Sequence, residues 1–315
     1  MQRQSDVLRP VMVLITALLI SLPFWAVRNG IGRQQPVIRV SSNLVMVPVS
    51  VTDSSGKAIN NLQSSDFHIE ENGRTEEIAK MFEPGQTPLE LALMFDVSGS
   101  VNPRFEFEQQ AATRFLKQIM RPGDTIVILS LAAEPHVLQP QTYSLYDALS
   151  SLEKLEPTRG MTAFFDALVL GAHLLRKSAS PQSRRVEVVL SDGEDNNSTN
   201  QLPDTLQELQ RADCILYSIN PTGPSVRLNQ LSLKGQEIMQ TLASQTGGVA
   251  FLPSSEQEFN SIFSQIAAEL QAQYMLGYYS SNTATDGSFR RIIVTVPERP
   301  DLRIRARQGY YAPKG

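Results

Sequence analysis

Between residues 89 and 272 the chain alternates continuous apolar runs with amphipathic stretches of helical period, and few architectures accommodate that pattern. Residues 91–95, 125–131, 186–190, 214–219 and 249–252 read as strands. Residues 105–120 carry Phe107, Ala111, Phe115 and Ile119 at helical spacing, and 163–176 carry Leu168, Ala172 and Leu175. Further helices fall near 145–152 and at 202–213, 237–245 and 255–272, the last with Phe259, Ile262, Phe263, Ile266 and Leu270 in one stripe. A strand that is apolar on both faces must be covered on both faces. The expected fold class is therefore α/β, a doubly wound, mostly parallel, Rossmann-like sheet.

The flanks follow a different period. Val45, Val47, Val49 and Val51 alternate with Met46, Pro48, Ser50 and Thr52, a period-2 strand in which Pro48 suggests a position near an edge. Phe67 and Ile69 begin a second strand, and Asn72-Gly73 is a hairpin signal. Period 2 returns in the tail at Ile292, Val294 and Val296, then at Leu302, Ile304 and Ala306. The simplest arrangement pairs both flanks into a smaller β-sandwich-like domain into which the α/β domain is inserted. The expected organisation is residues 1–36 as signal segment plus linker, 37–85 and 273–315 as the two parts of the β module, and 86–272 as the α/β domain. In the tail, Arg303, Arg305 and Arg307 alternate with apolar residues, which reads as a solvated cationic strand face.

The N-terminus points to export. Arg3 and Arg9 precede an uncharged run of 18 residues, 10–27, closed by Arg28, the pattern of a signal anchor or a cleaved signal peptide. The expected location is the cell envelope, either anchored in the inner membrane and facing the periplasm or exterior, or secreted. With 28 basic and 32 acidic residues the net charge is −4, which gives no reason to expect nucleic acid as a partner. One cysteine excludes an intramolecular disulfide and zinc sites built from paired cysteines. Cys214 opens an apolar strand and reads as a core residue; His68, His136 (in a loop after Pro135) and His173 pair with no motif.

Ligands of open α/β sheets bind at the carboxyl ends of the strands. Three oxygen-rich segments fall at such ends or in nearby loops: Asp96-Val97-Ser98-Gly99-Ser100 after a buried strand, Gly160-Met161-Thr162-Ala163 leading into a helix, and Ser191-Asp192-Gly193-Glu194-Asp195 after another buried strand. None offers a histidine or thiolate, so the set suits a hard cation with oxygen ligands, Mg²⁺, Mn²⁺ or Ca²⁺. Asp96, Ser98 and Ser100 are spaced two apart, so an extended stretch presents them on one side, and Gly99 permits a tight turn. Taken singly, the hydroxyls could equally be helix caps and Asp192-Gly193 an ordinary turn.

Together, in this order, these segments resemble the von Willebrand factor type A (VWA) family and its metal-ion-dependent adhesion site (MIDAS), written Asp-x-Ser-x-Ser, then Thr, then Asp. Here those positions are Asp96, Ser98, Ser100, Thr162 and Asp192. Tyr274-Met275-Leu276-Gly277-Tyr278, Arg307-Gln308-Gly309-Tyr310-Tyr311 and the hairpin at 66–73 resemble a bacterial exported subfamily.

The resemblance implies that Ser98, Ser100 and Thr162 ligate a divalent metal, foremost Mg²⁺, while Asp96 and Asp192 act through water or hydrogen bonds. It also implies capture of a Glu or Asp carboxylate from a protein partner, without catalysis. Asp166, Glu194 and Asp195 read as loop-supporting or solvated carboxylates. Two alternatives stand beside this reading: a hydrolase using Asp96 and a bound divalent metal, and a docking subunit of an envelope assembly complex. Against the hydrolase, Ser98 and Ser100 stand where a second acid is wanted, and no lysine lies near Thr162 or Asp192.

Overall fold

The computed structural model describes residues 44–98, 105–158, 160–177, 182–223 and 230–315. The apolar run at 10–27 and the linker after it lie outside these. Among the described residues, no helix is long and apolar enough to cross a membrane.

Six strands form the central sheet: β5 (Leu89–Asp96), β6 (Thr125–Leu131), β7 (His136–Thr142), β8 (Arg184–Leu190), β9 (Cys214–Ile219) and β10 (Ala250–Phe251). Their order is β10-β9-β8-β5-β6-β7, parallel except for the antiparallel edge strand β7. Six helices cover the sheet: α1 (Phe105–Ile119), α2 (Leu145–Glu153), α3 (Phe164–Arg176), α4 (Leu202–Arg211), α5 (Gln230–Thr246) and α6 (Glu256–Ala272).

Alternate residues of β5, β6, β8 and β9 feed different cores. Leu91, Leu93 and Phe95 of β5 pack with Phe115 of α1 and Phe263 of α6, whose rings lie 5.0 Å apart. Ala92 and Met94 pack with Leu168 and Ala172 of α3 and with Leu242 of α5. Each fully buried Leu or Phe contributes about 1.5–3 kcal/mol, so both faces of β5 hold the sheet in place. The Ser144 and Ser255 hydroxyls accept the Asp147 and Glu258 amides and start α2 and α6, caps worth about 1 kcal/mol each.

The flanks build a sandwich of two four-stranded sheets. One, in the order β13-β1-β11-β4, contains β13 (Arg303–Ala306), β1 (Leu44–Thr52), β11 (Tyr274–Tyr279) and β4 (Ile78–Phe82). The other, in the order β14-β12-β2-β3, contains β14 (Gly309–Tyr311), β12 (Phe289–Thr295), β2 (His68–Glu71) and β3 (Arg74–Glu76). Strands from before and after the α/β body pair directly: β1 with β11 and β13, β4 with β11, and β2 with β12. The four alternating valines of β1 fill the sandwich core against Tyr274, Leu276, Ile292 and Val294. Asn72 and Gly73 turn the β2–β3 hairpin with φ of 50° and 78°, the pair of positive angles that a type I′ turn requires.

Four expectations are corrected. β1 lies inside its sheet, not at an edge; Pro48 pairs with Met275 of β11, and the pairing with β13 begins only at Val49. His136 opens β7 and does not lie in a loop. Helix α5 starts at Gln230, seven residues before the expected 237. The three arginines of the tail do not together form a solvated face: Arg303 is exposed, but Arg305 of β13 pairs with Glu269 of α6, and buried Arg307, just after β13, pairs with Asp213 and donates to the Met46 carbonyl at 2.7 Å. The Arg305 and Arg307 charges join the sandwich to α6 and to the turn before β9.

Candidate functional site

Strand β5 ends in Asp96 and β8 runs directly into Ser191 and Asp192, and these strands are neighbours, with Phe95 opposite Leu190. The chain leaves β5 toward α1 on one face of the sheet and leaves β8 toward α4 on the other. This is the switch point at which an open α/β sheet leaves a crevice.

Asp96 is 1% exposed, Ser98 5%, Thr162 4% and Asp192 5%. Asp96 Oδ1 accepts the Ser98 amide at 3.0 Å and Oδ2 accepts the Ser191 hydroxyl at 2.7 Å. Burial pushes the Asp96 carboxyl above its usual range; the Ser191, Ser98 and Thr162 hydroxyls and the Ser98 amide hold it back in part. Every group that steadies this carboxylate is neutral, and it makes no salt bridge among the described residues. Ser100 and Gly99 lie outside the described residues.

The second and third segments are locked to one another. Thr162 donates its amide to Asn196 Oδ1 at 2.8 Å, and the Asn196 amide donates back to the Thr162 carbonyl at 3.1 Å. Asp195 accepts the Phe164 amide at 2.8 Å, supporting the start of α3. Asp166 accepts the Thr199 and Asn200 amides at 3.0 and 2.9 Å. Burial works to raise the Asp166 carboxyl, but these backbone bonds and the Asn200 side chain together take it below its usual value. Asp166 and Asp195 therefore hold the loop, while Glu194 Oε1 accepts the Ser232 hydroxyl at 2.9 Å.

The four described residues of the motif thus sit on two adjacent loop systems at one end of the sheet. Ser191 and Asn196 belong to the same machinery. Ser191 stood inside the oxygen-rich segment after β8, whereas Asn196 carried no signal, because its role exists only once α3 and the β8 loop meet. Cys214 is buried on β9, His173 Nε2 lies 2.9 Å from Glu208 Oε2, and His68 Nε2 lies 3.2 Å from Glu70 Oε1.

Among the described residues, no three His, Cys, Asp or Glu side chains gather as a metal cluster. A cation here would rest on hydroxyls backed by carboxylates. The residues fit such a group: Asp96 is a buried anion held by neutral donors alone, and its hydroxyl partners are hard oxygen ligands.

Residues 91–194 match the family model of the von Willebrand factor type A domain. The α/β body is a VWA domain. The match lies within the α/β body and takes in Asp96, Ser98, Ser100, Thr162 and Asp192. Among solved structures, von Willebrand factor type A from Catenulispora acidiphila is similar, with 12% identity and a TM-score of 0.50 over 73% of this chain and 50% of that one. An aerotolerance-related membrane protein from Bacteroides fragilis is 18% identical over 58% of this chain and 98% of its own, with a TM-score of 0.46. Proximal thread matrix protein 1 from the mussel byssus, with a zinc-occupied MIDAS motif, is 17% identical over 64% and 49%, with a TM-score of 0.49. At these identities the likeness concerns the fold alone. No curated protein sequence matches the chain. VWA domains are typically protein-interaction or adhesion modules rather than enzymes, and they often bind a divalent metal at a MIDAS.

Proposed function

We propose that this VWA domain is a metal-dependent protein-binding module of the cell envelope, tethered through its N-terminal segment or secreted if that segment is cleaved. The observation that carries the reading is the buried Asp96 carboxylate at the switch point, steadied by Ser98, Thr162 and Ser191 and, among the described residues, by no cationic side chain. Ser98, Ser100 and Thr162 would hold a divalent ion, foremost Mg²⁺, with Mn²⁺ or Ca²⁺ as alternatives. Asp96 and Asp192 would orient those hydroxyls from behind. Mostly neutral ligands leave the ion electrophilic, so it completes its shell with a Glu or Asp carboxylate of a partner protein.

The test is a pull-down from envelope extract with the purified chain, with and without chelator, alongside Mg²⁺ and Mn²⁺ titration of its melting temperature. A metal-dependent rise in Tm and chelator-sensitive capture are expected, both abolished by Asp96→Ala. Equal capture by wild type and variant, with no response of Tm to metal, would overturn the reading.

A further inference from the structure

Helix α3 starts just after Thr162 and runs back along the sheet, so Arg176 at its end lies about 20 Å from the candidate metal site at 1.5 Å per residue. There Arg176 and Arg211, the last residues of α3 and α4, face Lys314, Tyr311 and Gly287 of the sandwich across a cleft of about 250 Å³. Three cationic side chains line it, and no carboxylate does.

The cations are held in place from behind. Glu208 Oε1 takes Arg211 Nη1 at 3.1 Å, and its Oε2 lies 2.9 Å from His173 Nε2 and 3.9 Å from Arg176 Nη1. Burial would raise the Glu208 carboxyl, but the His173 bond and the charges of His173, Arg211 and Arg176 bring it below its usual value, so it stays ionised. Glu208 thus hydrogen-bonds the Arg211 guanidinium and lies within ion-pair range of that of Arg176, and the remaining N–H donors of both find no protein acceptor among the described residues. The Arg211 guanidinium also stacks over the Tyr311 ring at 5.3 Å. The Lys314 stem lies across Gly287, where a Cβ would fall 2.6 Å from its Cγ, and Lys314 makes no ion pair among the described residues.

We propose that this cleft binds an oxyanion of the phosphate class, either free phosphate or the phosphate of a lipid headgroup. Guanidinium forks match tetrahedral oxyanions in geometry, and Arg211, hydrogen-bonded to Glu208 and stacked on Tyr311, loses little side-chain freedom on binding. The partial negative charge of two helix ends opposes the anion, about half a charge each; three cations against Glu208 outweigh it. The volume admits a phosphate group with a few waters, each taking about 30 Å³. A bound anion would bridge α3 and α4 to the sandwich and so stabilise the junction. The proposal is independent of the metal site, because none of these residues belongs to it.

The test is calorimetric titration of the full chain with inorganic phosphate, against chloride at matched ionic strength, together with the Tm in each salt. Phosphate is expected to bind and to raise Tm where chloride does not. Arg211→Gln combined with Lys314→Gln should weaken binding at least about tenfold, the scale of a lost charge-assisted hydrogen bond. If the double variant folds poorly, exposed Lys314→Gln alone should still weaken phosphate about threefold or more. Identical binding by wild type and these variants, or a phosphate response equalled by chloride, would overturn the proposal. In a second arm, soluble dihexanoyl phosphatidic acid competes with phosphate: displacement identifies the headgroup as an admitted source, and failure to displace confines the site to free phosphate.

Discussion

The Ser191 hydroxyl bridges the two central strands of the VWA domain: it donates to Asp96 Oδ2 at 2.7 Å and accepts the Gly193 amide at 3.0 Å. One side chain thereby fixes the carboxylate at the end of β5 and the turn that carries Asp192. Ser191→Ala removes a donor from a buried anion and an acceptor from a buried amide. A loss of about 1–3 kcal/mol is expected, the scale of an unmet buried polar group, read from urea unfolding with chelator present. An unchanged midpoint would mean that water replaces the hydroxyl at no cost.

Glu187, in the middle of β8, is fully buried, and neither carboxylate oxygen has a hydrogen-bond partner in the structure. Burial alone drives its carboxyl far above the usual 4.5. In the unfolded chain this group ionises near 4.5, whereas the folded protein keeps it protonated, so between those two values the folded state binds the extra proton. Stability therefore falls as pH rises through that window, by up to about 1.4 kcal/mol per pH unit. Glu187→Gln removes the linkage without changing the shape. Its stability relative to wild type should climb steadily from pH 4.5 upward and level off below it, measured by denaturant unfolding across pH. A constant difference at every pH would show that Glu187 ionises in place.

The same burial explains what could be read from the chain before its fold was known. β5, β6, β8 and β9 are mainly apolar because helices cover both faces, and that bias is visible in the sequence, with Glu187 as a buried exception. β7 is not: it is an edge strand that is mostly exposed, contains Pro140 and pairs with β6 through register shifts, so it has neither alternation nor an apolar run. Asp96, Ser98 and Asp192 are legible because an ordered motif needs each residue type at or just after a strand end, and Thr162 because the motif needs it in the loop that leads into a helix. Asn196 and the pairings of Arg305 and Arg307 are not, because their partners Thr162, Glu269 and Asp213 lie far away along the chain and only the packed fold brings them near.

The sandwich core holds a charge that its apolar strands do not announce. Arg290 is 2% exposed and donates to Ser280 Oγ at 3.0 Å and to the carbonyls of Asn282 and Ala284; its Nη1 lies 3.5 Å from Glu71 Oε1. Glu71 also accepts the Tyr278 and Tyr310 hydroxyls at 2.7 and 2.9 Å. Burial first, and then Glu71, push the Tyr278 phenol far above its usual value. Arg290→Met leaves Glu71 as an uncompensated buried anion and should cost about 3–5 kcal/mol, while Glu71→Gln together with Arg290→Met should recover part of that loss. The cycle is read from unfolding free energies; additive losses would mean that the two groups do not sense each other.

Helix α5 meets the candidate site backbone to backbone at Gly235, beside the Ser232–Glu194 hydrogen bond. A Cβ at Gly235 would fall 2.5 Å from the Asp192 carbonyl oxygen and 2.9 Å from the Gly193 carbonyl carbon, and Gly193 itself takes a φ of 77°. Neither neighbour is a flexible side-chain end, so the loop or the helix has to move. Alanine would by itself favour the helix by about 1 kcal/mol, whereas overpacking against backbone costs about 1–3 kcal/mol. The second effect should win: Gly235→Ala is expected to lower stability and, by shifting Asp192, to weaken Mg²⁺ binding. Gly160→Ala is the control, because a Cβ there meets nothing within 4 Å and it lies two residues before Thr162; stability should stay within about 0.5 kcal/mol of wild type. Chemical denaturation and metal titration of the two variants side by side decide the matter. A Gly235→Ala protein more stable than wild type, with Mg²⁺ affinity unchanged, would show that α5 yields freely and does not position the Asp192 loop.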